Sequence, residues 1–409
     1  MPVESRIRRR AVIARGGRFK IKHQSIANQQ ADLLRRIRAQ DGLSRVDLAR
    51  ILNLAPSTIG IYVNHLVEQG FIFEGKPTER DFGRPPTILA LNPQGGRFIG
   101  VDFEARNIMA VAVDFSQRPL KRLHETIEAG EPVENILRKI EHAIETLLAN
   151  DGQSVLAIGV GVPGVIDPHS GIARSYKHIH GWENVALVKR LEERFGLPVF
   201  LENNIRSMAL AELWFGQGKG VANFICVGVR SGVGAGIIVD GHIYHGSDNR
   251  AGEIGEWPSF LPNDSAADGD GLMRLEEITR FQSVGVKATK ATPRNPNALV
   301  VPGTEASPEV LLQAAQAGDP RVLAVLERTA HAFGLALNQL QCAFNPEKII
   351  LAGVFTVFEN LFLDRLRERL NKFAPASGGP VVVNSALGEF NGALGAAALA
   401  VHEWKPQTA

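Results

Sequence analysis

Asn223-Phe-Ile-Cys-Val-Gly-Val-Arg-Ser-Gly-Val-Gly-Ala-Gly-Ile-Ile-Val239 is the stretch on which the fold turns. Two apolar runs flank a ladder of glycines, Gly228, Gly232, Gly234 and Gly236, and read as strand, glycine turn, strand. Val221–Val239 is also the most membrane-like run of the chain. Arg230 and the glycines exclude a spanning helix there, which needs about 20 mostly apolar residues. The same theme opens the region past Arg97, where Phe98–Phe103 and Met109–Phe115 read as a hairpin. Val133–Leu148 then reads as an amphipathic helix and Leu156–Val162 as a buried strand ending in Pro163-Gly164. Strands alternating with helices indicate α/β architecture. Two similar starts, about half this region apart, indicate a duplicated fold with a cleft between two lobes.

The 409 residues suffice for about two to three domains. Hydrophobic residues at 44% and charged residues at 22% exclude a mostly disordered, collagen-like or disulfide-scaffold protein. Cys226 and Cys342 form no CxxC pair, hence no zinc cluster or disulfide framework, as suits a reducing cytoplasm. The N-terminal arginines are not followed by the apolar stretch of a secretory signal. The expectation is a soluble, cytoplasmic protein without a membrane partner.

Charge is unevenly spread. Residues 1–97 carry 17 Lys and Arg against 8 Asp and Glu, whereas the remainder carries 28 against 35. A basic head on an acidic body points to a polyanion for the head and another task for the body.

Within the head, Ile26, Leu33, Leu34 and Ile37 keep helical spacing until Asp41-Gly42 breaks it. Ser44 reads as the N-cap of a second helix, with Asp47 three residues on, before Val46, Leu48, Ala49 and Leu52. Asn53-Leu54 makes a short turn. Pro56 fits the first turn of a third helix, which runs to about Gln69 and buries Ile59, Val63 and Leu66. Two short helices joined by a tight turn are the form of a DNA-reading unit. Phe71–Glu74 and Thr87–Leu91 read as strands around the polar loop Gly75–Pro86, a wing against phosphates or the minor groove. The residues expected at DNA are Ser44, Ser57, Thr58, Gly60, Tyr62 and Asn64, with Lys76, Arg80 and Arg84 of the wing.

Seven ordered motifs then carry a resemblance. They are Gly159-Val-Gly-Val-Pro-Gly-Val165, Gly181-Trp182-Glu183-Asn184, Leu201-Glu-Asn-Asn204, Gly228 to Gly236, Ala251-Gly-Glu-Ile-Gly255, Asn345-Pro-Glu-Lys-Ile-Ile-Leu-Ala-Gly353 and Gly392-Ala-Leu-Gly-Ala-Ala-Ala398. With Gly83-Arg84-Pro85 at the end of the wing, they cover almost the whole chain. The body resembles the ROK family, which groups bacterial repressors with sugar kinases on an actin-like, ribonuclease-H-like fold. The resemblance implies a two-lobed body with a sugar site in its cleft. By that resemblance Asn184, Asn203, Asn204, Glu253 and Glu276 sit where family members contact sugar hydroxyls, with Glu256 in the place of the usual His. Three carboxylates in one pocket suit a cationic ligand such as an amino sugar, or a shared proton.

Three departures bear on chemistry. Family kinases carry Asp then Gly-Gly-Thr after the first strand, because backbone N–H groups approach phosphate oxygens only where side chains are absent. Here the run is Asp102-Phe103-Glu104-Ala105-Arg106, and Glu104 would repel a phosphate. Family kinases also place an Asp after Glu-Asn as the base that takes the sugar hydroxyl proton. Here Asn204 follows Glu202-Asn203, and an amide cannot accept that proton. Many family members hold a structural zinc through one His and three Cys, yet Glu256 replaces the His and Pro262–Arg274 contains no cysteine. Asp264, Asp268 and Asp270 lack the closing Glu of a calcium loop and read as a polar surface loop.

The expectation is therefore a basic arm over residues 1–24, a winged helix-turn-helix over 25–95 and a ROK effector-binding and oligomerisation body over 96–409. No catalytic residue, metal or cofactor is expected. The expected partners are a double-stranded DNA operator, a sugar or sugar-derivative effector, and a second copy in a homodimer or dimer of dimers, with Val322–Phe344 as a candidate self-association surface. The alternatives are a sugar kinase with a fused DNA-binding head, or a regulator whose body senses a protein partner.

Overall fold

The computed structural model describes residues 26–75, 87–149, 153–260, 272–279, 307–372 and 378–407. Contacts within the chain divide it into two compact units. The first contains the helices up to Glu68 together with Glu74–Ala90, and the second contains Gln69–Phe73 and Leu91–Trp404.

The head follows its local chemistry. Helices α1 (Ile26–Ala39), α2 (Arg45–Leu52) and α3 (Pro56–Glu68) bury Leu33, Leu34, Ile37, Leu48, Ile59, Val63 and Leu66 between them. Ser44 accepts the backbone N–H of Asp47 while the Asp47 carboxylate accepts the N–H of Ser44, a reciprocal cap that starts α2. Asn53 ends it in the left-handed region at φ 52°, which Asn tolerates because its short side chain relieves the clash that larger residues meet. Strands β1 (Ile72–Gly75) and β2 (Ile88–Leu91) pair as a two-stranded sheet. Two apolar positions leave the expected stripe, since Ile26 and Val46 are exposed.

The body contains the expected duplication. Strands β3 (Arg97–Phe103), β4 (Asn107–Asp114) and β5 (Pro119–Thr126) are followed by α4 (Val133–Leu148) and β6 (Val155–Val162). A small sheet of β7 (Val165–Asp167), β8 (Ile172–Ser175) and β9 (Glu183–Val185) intervenes before α5 (Leu187–Phe195), β10 (Val199–Asn203) and α6 (Asn204–Phe215). The second half begins with β11 (Phe224–Val229), β12 (Val233–Val239) and β13 (His242–Ile243). The pair β14 (Pro258–Phe260) and β15 (Leu272–Arg274), then α7 (Leu275–Thr279), α8 (Pro308–Gln316) and α9 (Pro320–Phe344) lead to β16 (Lys348–Gly353). The chain continues through α10 (Glu359–Asn371) and β17 (Val381–Asn384) to α11 (Asn391–Glu403).

The sheets have the orders β10-β6-β3-β4-β5 and β13-β12-β11-β16-β17. In each, the first three strands in sequence are antiparallel neighbours and the other two join in parallel beside the first. This is one ribonuclease-H-like motif used twice.

Helices α6 and α11 pack against each other, α11 on β3 and β6, α6 on β11 and β12. Both are buried along most of their length; α11 is apolar on nearly all sides, whereas α6 also buries Asn204, Arg206, Ser207 and Glu212. Glycines permit the contact. A Cβ at Gly100 would lie 2.1 Å from the Ala393 carbonyl oxygen, one at Gly159 1.8 Å from that of Ala396, and one at Gly395 1.6 Å from that of Ser207. Helix α9 turns Val322, Leu326, Ala330, Phe333 and Leu337 into the core of its own lobe. Among the described residues no helix is long and apolar enough to cross a membrane. Gly159→Ala is expected to cost about 3 kcal/mol or more, because backbone rather than a movable side chain must yield; chemical denaturation of the variant against the parent measures it.

Candidate functional site

Two surfaces have functional form. On the head, α3 exposes Ser57, Ile61 and Asn64 at i, i+4 and i+7, one face of the helix. Thr58 and Gly60 are half-buried beside it. Arg45 holds this face from α2, its Nη2 donating to Asn64 Oδ1 and its Nε to Glu74 Oε1, both at 2.7 Å. Tyr62 turns away, its hydroxyl bonded to Gln29 of α1. Ser44 is buried, and its hydroxyl is engaged in the cap of α2. Ser44, expected at DNA, thus has its hydroxyl held at the start of α2, and Tyr62, expected on the outer face of α3, directs its hydroxyl to α1. Ile61, 66% exposed, belongs to that face, where its apolar side chain reads from sequence as core. Lys76, Arg80 and Arg84 lie outside the described residues.

On the body, a cavity of about 210 Å³ opens between the lobes. Asn203, the last residue of β10, caps α6, its Oδ1 accepting from the N–H groups of Ile205 and Arg206 and its Nδ2 donating to the Gly164 carbonyl. Asn204 and Arg206 follow in the first turn of α6. Glu253 and Glu256 flank the short turn at Ile254, which Gly252 allows by adopting φ 89° with its α-carbon too close to the Ala235 carbonyl for any Cβ. Glu276 comes from α7. Asn203, Asn204, Glu253, Glu256 and Glu276 thus all line the cavity.

Asn184 does not join them. It sits exposed in β9 at φ 51°, so its motif meets a backbone requirement rather than lining the cavity. Trp182 packs on Phe103 inside the first lobe, with ring centroids 5.0 Å apart, and Trp257 packs against the core of the second.

The carboxylates differ in their partners. Glu276 pairs with Lys177, and Glu256 with Arg274 at 2.8 Å. Burial pushes the Glu253 carboxyl above its ordinary range, with the neighbouring Glu256 and Glu276 adding to the effect and Arg206 and Arg250 opposing it. With Glu256 engaged by Arg274 and no cysteine over 262–274, the residues do not fit the tetrahedral thiolate and imidazole set of the family zinc. Asp264, Asp268 and Asp270 lie outside the described residues.

A second feature escaped the sequence. Arg230, in the turn between β11 and β12, reaches across to the end of β3, its Nη1 2.5 Å from Asp102 Oδ2 and its Nε 3.5 Å from Glu104 Oε1. Glu104 also accepts from the N–H and hydroxyl of Ser231 at 3.3 Å, and Ser231 bonds Tyr176 at 2.6 Å. Burial pushes the Asp102 carboxyl up to about 6 against the pull of Arg230. The turn that would have to cradle a nucleotide phosphate with open amides is therefore filled by side chains. The signal was a lone Arg among glycines, Arg230, whose partners lie 128 and 126 residues away in sequence.

Residues 98–403 match the ROK family, and residues 29–72 match a winged helix-turn-helix DNA-binding family. The chain is 29% identical over 344 residues to the xylose repressor of Caldicellulosiruptor bescii, covering 81% of this chain and 84% of that one. It is 28% identical over 365 residues to the DNA-binding transcriptional dual regulator NagC of Escherichia coli, covering 87% and 88%. Among solved structures, a ROK family transcriptional regulator, homolog of the E. coli MLC protein, superposes with a TM-score of 0.75 at 24% identity over 92% of this chain and 96% of that one, a likeness of fold. A ROK family glucokinase from Streptomyces griseus, in complex with glucose and AMPPNP, superposes at 0.63 with 27% identity over 75% and 99%. The chain belongs to the ROK family and carries a winged helix-turn-helix DNA-binding segment ahead of the family body.

Proposed function

We propose that the protein is a DNA-binding transcriptional regulator, acting as a repressor, whose cleft senses a neutral or modified sugar without phosphorylating it. The observation that carries the second half is the Arg230 guanidinium bonded to Asp102 and Glu104, where a kinase needs open amides. Asn204 in place of a carboxylate base adds to it. The head reads DNA through Ser57, Ile61 and Asn64, with the wing and the arm over residues 1–24 meeting phosphates. Closure of the lobes on the ligand alters the spacing of two heads in a homodimer or dimer of dimers, whose half-sites lie about 34 Å apart or a multiple of it. Working in the cytoplasm fits this role.

Relatives named xylose repressor and N-acetylglucosamine repressor put those two sugars first in a ligand screen. An unphosphorylated sugar is expected to raise the melting temperature of the full chain, by up to about 2.7 kcal/mol of stabilisation at a hundredfold excess over Kd. Glu253→Gln is expected to reduce that response, and ATP with magnesium to produce none. Sugar-dependent release of ADP would overturn the non-kinase reading.

For the head, a duplex selected from random DNA by the protein itself serves as the operator. Ile61→Ala and Asn64→Ala are each expected to weaken binding by about 1–3 kcal/mol, as loss of a base contact does. Tyr62→Phe is expected to change it by about twofold or less, since its hydroxyl bonds α1. Fluorescence anisotropy at fixed salt measures all three. The reverse order would move the groove face to the other side of α3.

A further inference from the structure

Helix α3 leaves a large apolar side chain of its first half in the open. Ile61 is 66% exposed, while Ile59, Val63 and Leu66 of the same helix are wholly buried. It stands between Ser57, one turn before it, and Asn64, one turn after it, both of them exposed. All three lie in the segment that matches a winged helix-turn-helix DNA-binding family. In such a unit the N-terminal residues of the second helix are those that reach base edges in the major groove.

The hydrogen bonds of this face narrow what each of its residues can read. Arg45 of α2 engages all three guanidinium nitrogens within the head. Its Nε donates to Glu74 Oε1 and its Nη2 to Asn64 Oδ1, each at 2.7 Å, and its Nη1 to the Gly60 carbonyl at 3.4 Å. Held on three sides, it ties α2, α3 and β1 together rather than offering a free fork to guanine. Bidentate reading of adenine would require Asn64 Oδ1 to accept from N6 while Nδ2 donates to N7, and Oδ1 is the atom that Arg45 holds. Asn64 is thereby left as a donor. A donor meets acceptors on guanine and thymine alike, O6 and N7 on one and O4 on the other, and the Ser57 hydroxyl suits any base. Polar groups on this face therefore separate thymine from guanine poorly. A branched apolar side chain separates them well, because thymine alone carries a methyl group at the groove edge.

We infer that Ile61 recognises the C5 methyl group of a thymine in the operator, which makes it a specificity-determining residue of the head. This deepens the DNA-reading function proposed above and rests on it. Packing that methyl group against Ile61 takes apolar surface of both partners out of water and strands no hydrogen-bonding group.

The test uses the full chain and a duplex that it selects from random DNA. Each thymine is replaced in turn by deoxyuridine, which lacks the C5 methyl group but keeps O4 and its base pairing, and fluorescence anisotropy at fixed salt follows binding. One position in each half-site is expected to matter, with a loss of about fourfold per methyl group removed, as burial of one such group contributes. In Ile61→Ala the same replacement is expected to change binding by less than about 1.5-fold. In Ile61→Val, which keeps a branched apolar end and serves if the alanine variant binds too weakly to measure, the change is expected to be about twofold. A deoxyuridine effect that keeps its full size in these variants is one of DNA shape and would overturn the assignment, as would a parent protein indifferent to the methyl group at every thymine. Either result leaves DNA binding itself intact. Recovery of no duplex in the selection would instead sink the DNA-reading function on which the assignment rests.

Discussion

The body depends on how closely two helices approach the strands that flank them. Gly100 and Gly159 on β3 and β6 let the backbone of α11 settle against the first sheet, and Gly395 lets α11 meet α6. Gly236 does the same for α6 on the second sheet, where a Cβ would come within 2.4 Å of that of Ala209. Dispersion between close-packed surfaces falls steeply once a gap of a fraction of an ångström opens, so these glycines set the helix positions tightly. One consequence reaches the cleft. Because α6 is held on both sides, its first turn, with Asn203 as cap and Asn204 and Arg206 behind it, is delivered to the cavity on a rigid element.

Around that fixed turn the two lobes meet through charges and hydroxyls. Arg230 of the second lobe is shared by Asp102 and Glu104 of the first, Ser231 bonds Tyr176, and Lys177 pairs with Glu276. The buried Arg230–Asp102 pair costs desolvation that its Coulomb attraction only partly offsets, so its place in the structure says more about geometry than about stability. Arg230, Asp102 and Glu104 fill the corner at the end of β3 with side chains, beside the cavity between the lobes. A cleft bordered by groups from both lobes favours whichever lobe spacing fits its occupant, the property that a sensing body needs.

Much of this was legible in the chain itself. Apolar runs flanking the glycines of Gly228–Gly236 and recurring past Arg97 indicate the duplication, since apolar runs and glycine turns are local properties. Ser44, Asp47, Asn53 and Pro56 announced the helix-turn-helix for the same reason, as caps and turns involve neighbours in sequence. Replacement of glycines by Phe103-Glu104-Ala105 and of a carboxylate by Asn204 spoke against phosphoryl transfer without any coordinates. Five of the expected cleft residues came together because their motifs lie at strand ends and helix starts, which the fold turns toward the gap.

What tertiary structure alone decided is which side chains are already engaged. Tyr62 and Ser44 carry groups suited to DNA, yet one bonds α1 and the other caps α2. Asn184 has the right chemistry for a sugar, yet it lies exposed in β9, apart from the residues that line the cavity. Arg230 and Arg206 were silent in sequence, and their meaning depends on partners. Arg230 finds its carboxylates in the other lobe, more than a hundred residues away. Arg206, buried in the first turn of α6, finds Glu202 four residues back and the Asn249 carbonyl more than forty residues on. Residue types and local spacing determine which groups a chain can offer, whereas hydrogen-bond capacity is exhausted or left over only once distant segments have packed.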